Sequence, residues 1–166
     1  MTAHEIIAQL GLHPHDEGGY YRQIYQAPWT FQTTHRDPPM RVSFSTIFYL
    51  LTAWDPIGHL HVNASDIIHC FHAGSPLTYL VISPDGHLER RVLGPDIHAG
   101  QTLHLIVPGG YWKATILEWG EYGLLSEVAI PAFEFRERTL ATPDMIRQRF
   151  PHLWSQLAPY IRTPPA

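Results

Sequence analysis

The sequence is poor in cysteine and in long apolar runs. Its one cysteine, Cys70, cannot form an internal disulfide, which is typical of proteins from reducing compartments. The longest apolar run, near residues 47–51, is far shorter than the roughly 20 residues of a membrane span. The first residues lack the cationic end and apolar stretch of a secretory signal. These absences predict a cytoplasmic protein with no membrane partner.

Positive charge is also scarce. The chain has 11 Lys and Arg residues against 15 Asp and Glu residues, a formal net charge of −4, and Lys113 is its one lysine. Because nucleic-acid affinity rests on neutralising phosphates, this balance argues against a nucleic-acid partner. Apolar residues make up 45% of the chain, which is a globular composition. A length of 166 residues predicts a single domain over residues 1–166.

Short runs of β-branched and aromatic residues, separated by Gly, Pro and Asp, fill the chain between about residues 18 and 135. Such runs are typical of strands. The predicted strands lie near 20–26, 41–52, 58–63, 66–72, 76–82, 87–93, 101–107, 111–119 and 122–130. Many strands without intervening helices predict an all-β sandwich, jelly roll or barrel.

Helix signals occur at the two ends of the chain. Thr2 and Glu5 form a capping-box pattern, and Gly11 can close the short helix that follows. Thr142 and Pro143 are typical of a helix start. They predict a C-terminal helical tail over about residues 142–160.

Histidine is abundant, with 12 residues. Because histidine is the commonest metal ligand and titrates near neutrality, this number raises the hypothesis of a metal site or an acid–base site. Seven histidines lie in polar or turn-rich contexts and are interpreted as incidental: His4, His13, His15, His35, His87, His98 and His152. Five lie in or beside predicted strands: His59, His61, His69, His72 and His104.

Two segments carry a resemblance to a known superfamily. The segment from Pro56 to Gly74, with its closely spaced histidines, resembles the first conserved motif of the cupins. The segment from Gly100 to Lys113, with Pro108 followed by two glycines, resembles the second. In cupins, two histidines one residue apart on a strand and a glutamate on a neighbouring strand hold a metal ion, because alternate residues of a strand point the same way.

Four further segments are similar to the small single-domain "cupin 5" family, a domain of unknown function: Asp16-Glu17-Gly-Gly-Tyr20-Tyr-Arg22, Ser45-Thr46-Ile-Phe-Tyr49-Leu-Leu, Pro108-Gly-Gly110 and Ser126-Glu127-Val-Ala-Ile-Pro131-Ala-Phe-Glu-Phe135. The resemblance spans residues 5–140. It implies a double-stranded β-helix, the cupin jelly roll, and a homodimer. Since most members have no established activity, it implies a fold rather than a reaction.

The resemblance to the metal-binding cupins is incomplete at the ligand positions. Alignment on Gly74 places His61 at the first position but Asn63, Ile67 and Lys113 at the other three. One ligand of four is too few for a tightly held ion, and an ammonium group repels a cation. We therefore expect neither a metal nor a cofactor.

A shifted alignment keeps a metal hypothesis open. It uses His59, His61 and Asp66 as ligands and would make the protein a metal-dependent oxygenase or isomerase. The two histidines then share a strand face, but Asp66 and Ile67 cannot both point inward.

Strand alternation predicts a cavity inside the barrel with a few convergent polar groups, the usual form of a small-ligand site. The side chains predicted around it are His59, His61, Asn63, His69, His104, Lys113 and Tyr49. Lys113 either extends its stem over neighbours toward solvent, or points inward to bind an anion or form a Schiff base. His61 and His69 are either hydrogen-bonded core residues or general acids and bases.

The segment from Asp16 to Arg22 is also similar to one in the deoxysugar 3,5-epimerases, a metal-free cupin group. By this analogy His61 is the base, Lys113 polarises the developing enolate and Arg22 meets an anionic group. Alternatively, Glu17 and Arg22 form a structural ion pair. Glu127 lies either buried opposite Lys113 or Arg22, or exposed.

The leading hypothesis is a metal-free cupin that binds a small polar, anionic, carbohydrate-like metabolite and isomerises or epimerises it by proton transfer. A non-catalytic ligand-binding cupin is the second alternative beside the metal-dependent one. The predicted catalytic residues are His61, His69 and Lys113. The predicted ligand-binding residues are Glu17, Arg22, Tyr49, Asn63, His104 and Glu127.

Overall fold

A computed structural model describes residues 1–34 and 39–163. His35 lies outside the described residues. The strands are β1 His13–Pro14, β2 Tyr20–Gln26, β3 Thr30–Gln32, β4 Met40–Val42, β5 Ser45–Thr52, β6 Ile57–Asn63, β7 Asp66–Gly74, β8 Leu77–Ile82, β9 Leu88–Leu93, β10 His104–Val107, β11 Trp112–Ile116, β12 Tyr122–Ile130 and β13 Arg138–Leu140. The α-helices are α1 Ala3–Leu10, α2 Pro143–Arg149 and α3 Trp154–Leu157.

Both predicted helix starts are confirmed by their capping contacts. The Thr2 hydroxyl accepts from the Glu5 backbone N–H, and the Glu5 carboxylate accepts from the Thr2 N–H. Gly11 closes α1 with a left-handed φ of 59°. At the other end of the chain Thr142 caps α2 by accepting from the N–H of Met145. No helix in the described ranges is long and apolar enough to cross a membrane.

Two antiparallel sheets form the body of the protein. One has the strand order β1-β2-β5-β12-β7-β10 and the other β13-β6-β11-β8-β9, while β3 and β4 form a separate pair. The all-β jelly roll that the sequence predicts is confirmed. The predicted strand over 41–52 is two strands, β4 and β5, and the one over 101–107 begins at His104 because a 3-10 turn at Ile97–Ala99 precedes it.

The core has two main parts. Between the sheets, β5, β8, β10 and β12 contribute a buried cluster that includes Tyr49, Leu77, Tyr79, Leu105 and Leu125. On the outer face of the five-stranded sheet, the C-terminal helices cover a second cluster that includes Leu60, Trp112, Ile146, Phe150 and Leu157. Burial of these apolar surfaces holds the sheets at a fixed spacing, so side chains from both sheets meet inside the barrel.

Candidate functional site

A cavity of about 150 Å³ lies at the end of the barrel where β5 and β7 begin and β12 ends. This volume is below the roughly 300–1,000 Å³ of pockets for drug-sized ligands, so the cavity suits a small molecule. The lining residues that matter most chemically are Glu17, Asn63, Glu127, Tyr21, Phe133 and Phe135. Among the described residues, no lysine or arginine lines it.

A β-bulge in β6 decides which of its side chains face inward. Lys113 and Thr115 are two residues apart on β11, but their partners on β6, His61 and Gly58, are three apart. The extra residue reverses the alternation at this point. His61 faces into the barrel with Lys113, whereas His59 does not, so the prediction that His59 lines the cavity is wrong.

Glu17 and His61 form a buried pair at the cavity. The Glu17 Oε2 lies 3.3 Å from the Nε2 of His61, while the His61 Nδ1–H donates to the backbone oxygen of His59 at 2.7 Å. This bond fixes the tautomer and leaves the Nε2 lone pair facing Glu17. Burial, helped by the charge of Lys113, lowers the pKa of His61 to about 4 against the opposing field of Glu17. His61 is therefore neutral at pH 7.

Glu17 is ionised although it is buried. Burial raises the pKa of its carboxyl, but the fields of His61, His15 and Lys113 outweigh that effect and hold the pKa below its ordinary value. Arg138 on β13 donates to the Glu17 Oε1 at 3.0 Å and to the Asp16 Oδ1 at 2.6 Å. The carboxylate is thereby held between a guanidinium and an imidazole.

Glu127 and His69 form a second carboxylate–imidazole pair. Glu127 lies opposite His69 on neighbouring strands, and its Oε1 is 3.2 Å from the His69 Nδ1. The hydroxyl of Tyr79 lies 3.1 Å from the same nitrogen. Burial raises the pKa of Glu127, but the fields of His69 and Lys113 outweigh this and hold it well below its usual range. Glu127 is therefore an anion that accepts the Nδ1–H of His69.

Lys113 connects the two pairs across the barrel. Its side chain is 2% exposed, so the solvent-facing alternative is wrong. The Nζ donates to the His69 Nε2 at 3.5 Å, and Lys113 lies opposite His61 on the adjacent strand. Burial and the charge of Lys113 lower the pKa of His69, which is therefore neutral.

The predicted residues form two layers. Glu17, Asn63 and Glu127 line the cavity, whereas His61, His69 and Lys113 lie behind the carboxylates and do not. Tyr49 is buried and its hydroxyl donates to the Gly18 backbone oxygen at 2.8 Å, so it supports the loop that carries Glu17. The carboxylates, rather than the histidines, are the groups a ligand would touch.

Two predicted ligand-binding residues lie outside the cavity. His104 is exposed because it pairs with Cys70, whereas its neighbour Leu105 pairs with the inward-facing His69. Arg22 is exposed on β2 opposite Phe48 and is not among the residues that line the cavity. The predicted place of His104 in the cavity is therefore wrong, whereas a ligand-binding role of Arg22 stays a prediction. The cation that contacts Glu17 is Arg138, which the sequence patterns did not reveal.

His15 was interpreted as incidental, but it belongs to the site. Its side chain is 6% exposed and lines the cavity, and its Nδ1 accepts from the Glu17 backbone N–H at 3.0 Å. The position of His15 two residues before Glu17 was the one signal that could have identified it.

The residues do not fit a metal ion. Lys113 stands at the superfamily's fourth ligand position, and its ammonium group, which contacts His69, has no lone pair with which to coordinate a metal ion. The alternative ligands diverge, because His59 Nδ1 lies 3.3 Å from the backbone oxygen of Tyr160 and the exposed Asp66 accepts from the Gly109 N–H. In residues 1–34 and 39–163, no three His, Cys, Asp or Glu side chains are placed to hold one ion.

Comparison with known proteins agrees with this architecture. The chain is 32% identical over 147 residues to the uncharacterized protein YML079W of Saccharomyces cerevisiae, a match that covers 81% of this chain and 73% of the relative. A hypothetical protein from Leishmania major has a solved structure with a TM-score of 0.91, at 26% identity, covering 98% of this chain and 100% of that one. A cupin 2 conserved barrel domain protein from Rhodopseudomonas palustris shares the fold at 12% identity, with a TM-score of 0.58 and coverage of 92% and 88%.

The family assignment rests on a match over most of the chain. Residues 4–141 match the family described as cupin superfamily (DUF985), Cupin_5. The two facing sheets have the arrangement expected of it. The protein therefore belongs to the cupin 5 family of the cupin superfamily.

Proposed function

We propose that the protein binds a small polar metabolite in this cavity and moves a proton on it, as an isomerase or epimerase does. The observation that carries the proposal is the Glu17–His61 pair. An ionised carboxylate lines the cavity, and the free lone pair of a neutral imidazole lies 3.3 Å behind it. Together these groups can accept a proton from a bound molecule.

The pair supports proton abstraction from a carbon next to a carbonyl group. When that C–H bond breaks, its electron pair moves into an enolate and the proton goes to Glu17. The carboxylate is the first acceptor, and the His61 Nε2, which lies 3.3 Å behind it, is within reach to share the proton. When the carbon that lost the proton also bears a hydroxyl, that hydroxyl proton moves to the enolate oxygen and the first proton returns to the former carbonyl carbon, which isomerises the substrate. Return of a proton to the same carbon from its opposite face epimerises it.

The second pair offers a route for proton delivery. Lys113 donates to the His69 Nε2, and the His69 Nδ1–H faces Glu127, which lines the same cavity. A shift of protons along this chain protonates Glu127 at the cavity. The two pairs thus divide the roles of base and acid, which is a common division between groups in different environments.

An anionic ligand does not fit the lining. Glu17 and Glu127 both face the cavity as carboxylates. Lys113, from which an anion site was predicted, contacts His69 behind them. Like charges in a small cavity with low polarisability repel strongly. The charge therefore favours a neutral or cationic polar ligand.

Solvent-deuterium exchange tests the proposed proton transfer. The protein is incubated in D2O with aldoses, ketoses, amino sugars and keto acids, and deuterium at the carbon beside the carbonyl is measured by NMR. We expect exchange with at least one compound, and a fall of about 10²–10⁴-fold in Glu17→Gln, which removes the base. The charge-matched control is Glu118→Gln, an exposed residue that pairs with Arg90. If a compound binds but none of the compounds exchanges deuterium, the result contradicts catalysis and indicates a cupin that only binds its ligand.

A further inference from the structure

We infer that the ligand of the cavity is an organic monocation, a small metabolite that carries an ammonium group. The inference rests on the proposed role of the cavity as a small-ligand site, and it names the class of ligand. It follows from three observations: the two carboxylates of the lining, the aromatic side chains of its walls and an unpartnered amide oxygen.

The carboxylates, and not the cations that contact them, face the cavity. Glu17 and Glu127 line it, whereas Arg138, which contacts Glu17, and Lys113, whose field acts on Glu127, are not among the described lining residues. A bound molecule therefore meets the two carboxylates first, which attract an ammonium group and repel an anion.

Aromatic rings form much of the remaining wall. Tyr21, Phe133 and Phe135 line the cavity, and the rings of Phe133 and Phe135 meet edge to face with centroids 5.0 Å apart. Aromatic faces attract ammonium groups through their quadrupole. Rings combined with carboxylates distinguish a cation site from a sugar-phosphate site, which requires Lys or Arg.

Asn63 provides an independent sign that a ligand with N–H donors belongs here. Its side chain is 8% exposed and lines the cavity, and its Oδ1 is buried without a hydrogen-bond partner. A buried acceptor left unsatisfied is destabilising. A primary ammonium group can donate to Asn63 and to Glu127 together, whereas a carboxylate or phosphate can donate to neither.

The inference separates the roles of the two carboxylates. Before any proton moves, Glu127 is held ionised by its contact with His69 and by the field of Lys113, so it suits the binding of the ammonium group. Glu17 has the free Nε2 of His61 behind it and suits the exchange of a proton. A substrate with an ammonium group near a carbonyl-bearing carbon would use both.

The test compares three probes that share one carbon skeleton and differ in their head groups. Dissociation constants of butylammonium, 1-butanol and butanoate are measured on the full chain by ligand-observed NMR at low salt. We expect butylammonium to bind at least about tenfold more tightly than 1-butanol, and butanoate to bind more weakly than both. Equal affinity for butylammonium and 1-butanol, or no measurable binding of butylammonium, overturns the inference.

Two variants and a control locate the effect. In Glu127→Gln the preference for butylammonium over 1-butanol should fall to below about threefold, since the anchoring charge is gone. In Asn63→Leu, which keeps the branched skeleton but removes the acceptor, butylammonium should bind about 3–10-fold more weakly and should lose more affinity than 1-butanol, because a hydrogen bond from a charged donor is the stronger one. Glu118→Gln removes the same single negative charge at an exposed position outside the cavity lining and should retain the full preference. An equal loss of preference in Glu118→Gln would overturn the inference.

The outcomes also distinguish this inference from the proposed reaction. A cation preference without deuterium exchange in any carbonyl compound supports the ligand class and contradicts proton transfer. The opposite pair of results is deuterium exchange in a compound without an ammonium group and tighter binding of butanoate than of butylammonium. These results overturn the ligand class and leave the proposed proton transfer intact.

Discussion

Lys113 and His69 come from different sheets and meet inside the barrel, where the Nζ of Lys113 lies 3.5 Å from the Nε2 of His69. Because a lysine ammonium only donates, the His69 Nε2 must accept and its Nδ1 must carry the proton that faces Glu127. The one lysine of the chain thereby fixes the tautomer of a histidine and the charge of a carboxylate that lines the cavity.

Lys113→Met should destabilise the protein. The substitution keeps the length of the side chain but removes its positive charge. That charge faces His69, and its field acts on Glu127. Removing one charge of a buried set leaves the others uncompensated, so we expect the free energy of unfolding at pH 7 to fall by about 2–4 kcal/mol. Urea denaturation followed by tryptophan fluorescence measures the change.

Adding Glu127→Gln to Lys113→Met should recover part of the lost free energy of unfolding, because the second substitution removes the uncompensated carboxylate. Arg91→Met, on the exposed face of β9, removes a cation of similar length and should change the stability by less than about 0.5 kcal/mol. If Lys113→Met were as stable as the wild type, Lys113 would not compensate charge inside the barrel.

Period-2 alternation predicted the inward side chains correctly on β7 and β11, but on the equally regular β10 it placed the exposed His104 inward instead of Leu105. On β7 it placed Ile67 and His69 on one face, and on β11 it placed Lys113 and Thr115 on one face; all four are buried. The helix caps at Thr2 and Thr142 could also be predicted from the sequence, because each depends on hydrogen bonds between residues within four positions of each other.

The remaining site residues depend on relations that no local pattern carries. The bulge between Gly58 and His61 is an extra residue opposite β11, and nothing in the alternation of β6 marks it. Arg138 reaches Glu17 from 121 residues away on a strand of three residues, which is too short for a periodic signal. His15 lies in a turn-rich segment, and only the folding of that loop against the barrel buries it.

Acidification should destabilise the protein below about pH 6.5. Burial lowers the folded-state pKa of His61 from 6.5 to about 4, and the pKa values of His59 and His69 shift in the same direction. Between pH 6.5 and 4 the unfolded chain therefore binds more protons than the folded chain, so the free energy of unfolding falls as the pH falls. His61 alone accounts for roughly 3 kcal/mol across this window.

Glu127 extends the loss to lower pH. Its folded-state pKa is well below the ordinary 4.5, so its stabilising contribution is complete above pH 4.5 and is lost as the pH falls further. Urea midpoints at pH 3.5, 4.5, 5.5, 6.5 and 7.5 measure both effects, and His61→Gln should flatten part of the slope between pH 4.5 and 6.5. A stability that is constant or rises on acidification through this range would contradict the neutral state of His61.

Arg138→Lys should weaken the site although it preserves the charge. The guanidinium contacts Asp16 and Glu17 at once, and a lysine ammonium cannot form this fork. We expect a loss of about 1–3 kcal/mol in the free energy of unfolding and a fall of at least about tenfold in deuterium exchange, because Glu17 is less well oriented.

Arg138→Gln, which also removes the charge, should lower the exchange further, and the pH at which exchange is half-maximal should rise because Glu17 loses a stabilising cation. Arg91→Met provides the control for removal of an arginine elsewhere on the barrel. A purely structural role would reduce stability in Arg138→Gln without moving the pH profile of exchange.

His59 and His61 should respond differently to the same substitution. The bulge in β6 sends His59 toward the backbone oxygen of Tyr160 and places His61 behind Glu17. In His61→Asn no lone pair remains at the Nε2 position to take a proton from Glu17, so deuterium exchange should fall about 10²–10⁴-fold. In His59→Asn, whose backbone still accepts from His61, exchange should remain within about twofold of the wild type. Equal losses in the two variants would mean that both side chains face the same cavity, as a regular strand would place them, and that the bulge does not separate their roles.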